Sequence, residues 1–422
     1  MSDPVTETLD WILPECAFAP FRGQDSALLL HGGRRSQSRL YALAWDMLFF
    51  RPGDDLDAFL AKARNALADG YQLAGLFAYE FGHALEPRTG TPPRWQPMIQ
   101  LGVYPAWAVF DPVKEELTVH GTADGIARLK SGLHIGRPPA GDAHGRLLPV
   151  RSRDAYLETC RTLIEHIRAG DIYQANLSQA FSGRLNGDPW AVFQRLIMRS
   201  DAPHAAWFRT SNSNVVITNS PERFLRLQDG RVESRPIKGT RPRKTDAAAD
   251  RAEAAALAES GKDRAENLMI VDLVRHDLSR VCRAGSVKVP KLNAVESYAN
   301  VHHLVSTVTG ELAPGRDAFD LVCAAFPPGS ITGAPKIRAM ELIAEAEGET
   351  RGPYCGALGW IGDNGQSMDL NVMIRTLDLI RTDADWLVKA RSGGAVTIDS
   401  DPDAEYEETL HKLRALEAAL EG

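Results

Sequence analysis

Apolar residues recur at helical spacing in several stretches of the chain. Leu56, Phe59, Leu60, Ala63 and Leu67 predict a helix over 55–67, and Tyr156, Cys160, Leu163, Ile164 and Ile167 predict another over 153–169, stopped by Gly170. Ile337, Met340 and Ile343 mark a third after Pro335, a residue suited to a first helical turn. Tyr406, Leu410, Leu413, Leu416 and Leu420 form the core stripe of a last helix. An Ala-rich acidic stretch, 246–260, reads as a surface helix that continues over 262–277. Strands are expected at 73–80, 173–179, 215–218, 231–237, 302–310 and 371–377, the fourth by alternation and the first, third and last by short apolar runs. Residues 121–152 carry Gly, Pro and basic residues with little periodicity, as in Gly136-Arg137-Pro138-Pro139-Ala140-Gly141, and are expected to be a linker or long loop.

Composition narrows the class without choosing a function. With 422 residues, 44% apolar and 24% charged, the chain is ordinary globular material for two domains or one large one. A net charge of −7 gives no reason to expect nucleic acid as a partner. The most apolar early run, Tyr41 to Phe50, is interrupted by Asp46, so no membrane span is expected, and Met1-Ser2-Asp3-Pro4 lacks the order of a signal peptide. Cys16, Cys160, Cys282, Cys323 and Cys355 are scattered and odd in number, which argues against a disulfide framework or a zinc site and for a cytoplasmic location.

Candidate chemistry begins at Arg235-Pro236-Ile237-Lys238-Gly239-Thr240-Arg241-Pro242, where a lysine sits between a rigid proline and a permissive glycine. An amine becomes a nucleophile when desolvation or nearby positive charge lowers its pKa; Arg235 and Arg241 could supply the second effect. Glu222, in Ser220-Pro221-Glu222-Arg223-Phe224, follows an apolar strand, and a carboxyl shielded from water can donate a proton at neutral pH. Asp263 and Glu266 share one helix face, as do Glu405, Glu408 and Lys412 on the last helix. Each set is equally the pattern of a solvated acidic face or a salt-bridged surface helix. His302 and His303 point to opposite faces of a strand and make a poor joint metal site. Arg375 interrupts Val372-Met373-Ile374, where a buried arginine needs an anion, either a protein carboxylate or a bound one.

These segments occur in an order that resembles one family. Pro-Ile-Lys-Gly-Thr at 236–240, Tyr173-Gln174-Ala175-Asn176-Leu177-Ser178-Gln179, the Ser-Pro-Glu at 220–222, Gly329-Ser330-Ile331-Thr332-Gly333-Ala334-Pro335-Lys336 and Ser392-Gly393-Gly394 are similar to motifs of the chorismate-utilising enzymes. That family includes anthranilate synthase component I, and the lysine at 238 resembles its aminodeoxychorismate synthase component I branch. The resemblance runs from about residue 153 to the C-terminus. It implies an α+β fold of two large packed β-sheets flanked by helices. Residues 1–150 would form the N-terminal region and 151–422 the chorismate-binding catalytic region, intertwined into one globular unit.

The resemblance also implies roles. Lys238 is the covalent nucleophile, Glu222 the acid for the departing hydroxyl, and His303 an active-site histidine near the substrate ring. Gln174 stands where water-using relatives carry a basic lysine; a neutral amide cannot activate water that way and so argues for a nitrogen nucleophile. Thr240, Lys412 and the backbone of Gly393 and Gly394 contact substrate, while Tyr354 and Arg375 hold the enolpyruvyl carboxylate. Mg²⁺ is expected directly on Glu266 and Glu408, with Glu405 and Asp263 reaching its waters; carboxylates suit such a hard cation. The implied reaction joins chorismate and ammonia to give 4-amino-4-deoxychorismate, towards 4-aminobenzoate and folate. No Gly-x-Cys-x-Gly glutaminase segment is found, so ammonia is expected from a separate glutamine amidotransferase subunit, component II. Two departures stand out: Arg275-His276-Asp277 where relatives read Arg-Asn-Asp, and Ala395 where they usually have a third glycine, a restriction if φ must be positive there. Anthranilate synthase component I, an amination step in an antibiotic or pigment pathway, and a non-catalytic chorismate-binding homologue remain the alternatives.

Overall fold

The computed structural model describes residues 5–91, 96–133 and 141–422. Among them the strands pair antiparallel into two sheets, one of twelve strands and one of ten. Strands from the first 121 residues enter both: Leu28–His31 pairs with His204–Arg209 in the larger sheet, and Gln72–Phe77 pairs with Ala357–Gly362 in the smaller. The inner faces meet through Tyr41, Leu76, Tyr104, Phe208, Val216, Leu358 and Met373. Helices seal the outer faces. Leu56–Ala68, Gly261–Ser279 and Ala318–Ala325 bury Phe59, Ile270 and Phe319 against the ten-stranded sheet. Pro189–Arg199 and Pro402–Glu421 bury Trp190 and Leu413 against the other. Each such large side chain contributes roughly 1.5–3 kcal/mol by leaving water.

The helical stripes fall where their periodicity places them, and polar caps set the ends. Asp55, Ser152 and Asp401 each accept a hydrogen bond from a backbone N–H in the first turn of the helix they precede. Ser260 closes Ala247–Glu259 and caps Gly261–Ser279, which divides the acidic stretch into two helices.

Four expectations need correction. The linker at 121–152 contains the helix Ala123–Gly132, capped by Thr122, and the strand Ala143–Pro149, which pairs with the long strand Gln174–Gly187. That helix has only Ile126 and Leu129 as large apolar anchors, and the strand is mostly solvated, so neither leaves a strong periodic trace. Residues 134–140 of that stretch, like Met1 to Pro4, lie outside the described residues. Secondly, 371–377 is not one strand. The chain leaves the smaller sheet at Val372 and enters the larger at Thr376, and Arg375 takes φ +53° in the crossing. A mostly buried run reads the same whether it stays in one sheet or changes sheets. Thirdly, the strand expected over 231–237 ends at Ser234, and Lys238 lies near the start of the next strand, Ile237–Pro242. Fourthly, Ile337 is only partly buried, and the inward face of its helix is Ala339, Met340, Leu342 and Ile343.

Candidate active site

Lys238 owes its position to a bulge. Ile237 pairs with Val305 and Thr240 with His303, so Lys238 and Gly239 together oppose Leu304 alone. Gly239 has φ +81°, and a Cβ there would stand 2.9 Å from the Asp263 carboxyl and from Leu257. Backbone conformation and close approach therefore both call for glycine. The charged groups acting on Lys238 are Glu266, Lys412, Glu222 and Glu408. Desolvation lowers its pKa, Lys412 reinforces the effect, and the three carboxylates oppose it. The two arginines named for this effect are engaged elsewhere: Arg235 pairs with Glu296, and Arg241 with Asp263 at 3.2 Å. The cation beside Lys238 comes from the C-terminal helix instead.

Glu222 is 4% exposed. Desolvation pushes its pKa up to about 7, held back by a hydrogen bond from Ser330 and by the charge of Lys238. Its Oε1 accepts the Ser330 hydroxyl at 2.6 Å, and the Ile237 N–H also bonds its carboxylate. The acid is thus tied to the peptide that precedes the lysine.

Two acidic helices flank this pair. Glu266 on Gly261–Ser279 is raised by burial, with Lys238 and Lys262 opposing. On Pro402–Glu421, Glu405 is buried and raised by desolvation; its Oε1 accepts from Ser400 at 2.7 Å, while its Oε2 has no partner among the described residues. Burial acts upward on Glu408 too, yet Lys412, bonded to it at 2.6 Å, carries it below the ordinary range. Lys412 also donates to the Gly393 carbonyl at 2.8 Å. Among the described residues no three His, Cys, Asp or Glu side chains stand close enough to hold one ion. Charge and space nevertheless fit a hard cation. Glu405 keeps a buried, unpartnered carboxylate oxygen, and a Cβ at Gly394 would fall 2.8 Å from it and 3.1 Å from Glu408 Oε1. Ammonium groups supply the counter-charge, and Lys412 would have to release Glu408 before that oxygen could bind a metal. Asp263 is committed to Arg241.

The remaining candidates separate. His303 is buried, with Nδ1 2.9 Å from Thr240 Oγ1 and Nε2 unpartnered among the described residues. Burial and the nearby Arg375 lower its pKa to about 3, so it acts as a neutral imidazole. His302 turns the other way, to Ser297 and Asp250. Arg375 has no ion pair or side-chain hydrogen bond among the described residues, and desolvation lowers its pKa, which leaves an internal salt bridge without support. Gln174 is fully buried, and both its amide atoms are unpartnered among the described residues. Tyr354 stands apart: it packs 5.9 Å from the Arg351 guanidinium and borders a cavity of about 530 Å³ between the sheets. Gly393 and Gly394 lie within the straight strand Trp386–Val396 with no positive φ; close approach to Ser178, Glu405 and Glu408 requires them. Ala395, in the same strand, also lacks a positive φ, so the expected restriction does not arise. His276 is exposed, whereas Asp277 is buried and paired with Lys336 at 2.6 Å. Ser330 and Lys262 were absent from the sequence candidates, although Ser330 stood inside a quoted motif.

A family model described as chorismate binding enzyme matches residues 50–418. The chain is 41% identical over 352 residues to aminodeoxychorismate synthase component 1 of Salmonella typhimurium, covering 82% of this chain and 76% of that protein. It is 40% identical over the same length to the protein of that name from Klebsiella aerogenes, with the same coverage. A crystal structure of anthranilate synthase component I from Streptococcus pneumoniae superposes with a TM-score of 0.79 at 27% identity, covering 90% of this chain and 92% of that one. The chain belongs to the chorismate-binding enzyme family. Within it, the two relatives matched over 352 residues are named aminodeoxychorismate synthase component 1, the branch that Lys238 resembles, while an anthranilate synthase component 1 from Aquifex aeolicus is 40% identical over the shorter span of 270 residues.

Proposed function

We propose that the chain is the chorismate-aminating component of an aminodeoxychorismate synthase, using Lys238 as a covalent nucleophile. The observation that carries this reading is the partly desolvated amine of Lys238 beside a buried acid with a pKa of about 7. Neutral Lys238 attacks C2 of the ring, the double bonds shift, and the C4–O bond breaks as Glu222 gives its proton to the leaving hydroxyl, which departs as water. Ammonia then forms a bond at C4, the double bonds return, and the C2–N bond breaks to free the lysine as an amine. The new C4 ammonium returns a proton to the Glu222 carboxylate. The sum is chorismate plus ammonia giving 4-amino-4-deoxychorismate plus water.

Arg375, lacking a side-chain partner among the described residues, is free to bind one substrate carboxylate, and neutral His303 offers Nε2 to the ring region. Glu266 and Glu408 would hold Mg²⁺, whose positive charge would draw electron density from the ring through its carboxylate. Ammonia would come from a glutamine amidotransferase subunit, in keeping with the component 1 designation of the relatives.

Mass spectrometry after exposure to chorismate and Mg²⁺ without ammonia tests the covalent step. A substrate-derived adduct is expected on the wild type and none on Lys238→Ala. Turnover with ammonium at wild-type rate by Lys238→Ala would remove the lysine from the mechanism. Fluorescent anthranilate as the product would point to the anthranilate synthase reading instead.

A further inference from the structure

We propose that Ser330 is a positioning residue for the acid: its hydroxyl fixes which oxygen of Glu222 carries the transferable proton and steadies the carboxylate left behind. The inference rests on the reading of Glu222 as the proton donor.

Ser330 lies in the short turn Gly329–Ile331 and is 6% exposed. Its hydroxyl donates to Glu222 Oε1 at 2.6 Å. A hydroxyl has one proton to give, and a neutral carboxyl accepts it on its carbonyl oxygen, so the acidic proton of Glu222 resides on Oε2. Once that proton leaves, the same contact becomes a bond to a charged acceptor and strengthens. Ser330 therefore favours the state after proton transfer over the state before it.

The acid is fixed on its other sides. Its N–H donates to Ser220 Oγ at 3.2 Å, its carbonyl accepts from Val372 N–H at 3.0 Å, and the Ile237 N–H also bonds its carboxylate. Thr332 cannot replace Ser330, because its hydroxyl bonds the Pro328 and Gly329 carbonyls and shapes the turn.

Other charges near Glu222 are Lys238 and Lys412. Arg223, its chain neighbour, pairs with Glu233 and Asp369, and Asp277, lining the same small void, pairs with Lys336. Ser330 is the only side chain among the described residues with a hydrogen bond to the Glu222 carboxyl. Its loss would leave burial less opposed, and Glu222 would hold its proton to higher pH.

The test is a ¹³C NMR titration of protein labelled at glutamate carboxyl carbons, with Glu222 assigned by its absence in Glu222→Gln. The wild-type midpoint is expected near 7. In Ser330→Ala it should rise by about one pH unit, the scale of a hydrogen bond to a charged acceptor. Ser330→Thr, which keeps the hydroxyl, should stay near wild type. In turnover with chorismate and ammonium, the basic limb of kcat should move with the NMR midpoint, with KM changed less than about threefold. A Ser330→Ala midpoint within about 0.2 unit of wild type, or a change confined to KM, overturns the inference and leaves the acid role of Glu222 standing. Full activity in Glu222→Gln overturns that acid role, and the inference with it.

Discussion

Two buried carboxylates in this protein have opposite fates. Glu347 accepts from Arg351 at 2.7 Å, Arg391 at 2.9 Å and Ser178 at 2.7 Å, and its pKa is lowered to about 2. Glu222, as deeply buried, has one serine and one peptide N–H, faces the ammonium groups of Lys238 and Lys412 without an ion pair, and rises to about 7. Burial pushes both upward; the difference lies in the fixed guanidinium groups that Glu347 has and Glu222 lacks. The Glu347 group, tied also to the Asn176 and Ile331 carbonyls through Arg351, is scaffold: every charge is answered from within the protein. Around Lys238 the accounting is left open at Arg375, His303 Nε2, Gln174 and Glu405 Oε2, which is what a site reserved for a ligand requires.

The sharpest way to break this contrast is to neutralise each acid. Glu222→Gln should lower kcat by on the order of 10³-fold, within the range for removing a general acid, with no loss of stability. Glu347→Gln leaves two buried guanidinium groups underpaired and should destabilise the fold by about 3–5 kcal/mol, measured by urea unfolding. Loss of stability in the first variant, or of activity alone in the second, would erase the distinction.

Stability against pH gives a second measure, with opposite signs. Glu347 has a folded pKa below its ordinary 4.5, so its contribution is present above pH 4.5 and is lost as pH falls through about 2. Glu222 has a folded pKa above 4.5, so the folded state holds the extra proton and stability declines as pH rises from 4.5 through about 7, by on the order of 3 kcal/mol. Unfolding curves across pH 4–8 should show that slope reduced in Glu222→Gln and steepened in Lys412→Met, which removes the cation that holds Glu222 and Glu408 down. An unchanged slope in Glu222→Gln would mean that the buried acid titrates near its ordinary value.

Much of the site was legible because its spacing is local. Glu405, Glu408 and Lys412 declare themselves at three- and four-residue intervals, and the lysine turn is written in Pro236 and Gly239. What spacing could not give was the partner across the fold. Nothing local says that Arg235 and Arg241 are held by Glu296 and Asp263, that Lys412 is the cation near Lys238, or that Ser330 reaches a glutamate 108 residues away. The missed helix and strand in 121–152 failed for another reason: a surface element with two apolar anchors has almost no pattern to read.

The smallest effects are expected at the two departures from the family pattern, and they test whether a sequence difference near a site matters by itself. His276 projects into solvent with a side chain 71% exposed, while the neighbouring Asp277 and its bond to Lys336 join the acidic helix to the helix that follows Ser330. Ala395 sits in extended backbone opposite Asn176, where its Cβ is accommodated. His276→Asn and Ala395→Gly should therefore change unfolding free energy by no more than about 0.5 and 1 kcal/mol, the latter from glycine's backbone entropy, and kcat by less than about threefold. Asp277→Asn, one position beyond the first, should exceed both, because it leaves a mostly buried ammonium facing a neutral amide. A His276→Asn protein with markedly higher activity would instead mean that this turn acts on substrate through a contact the exposed imidazole weakens.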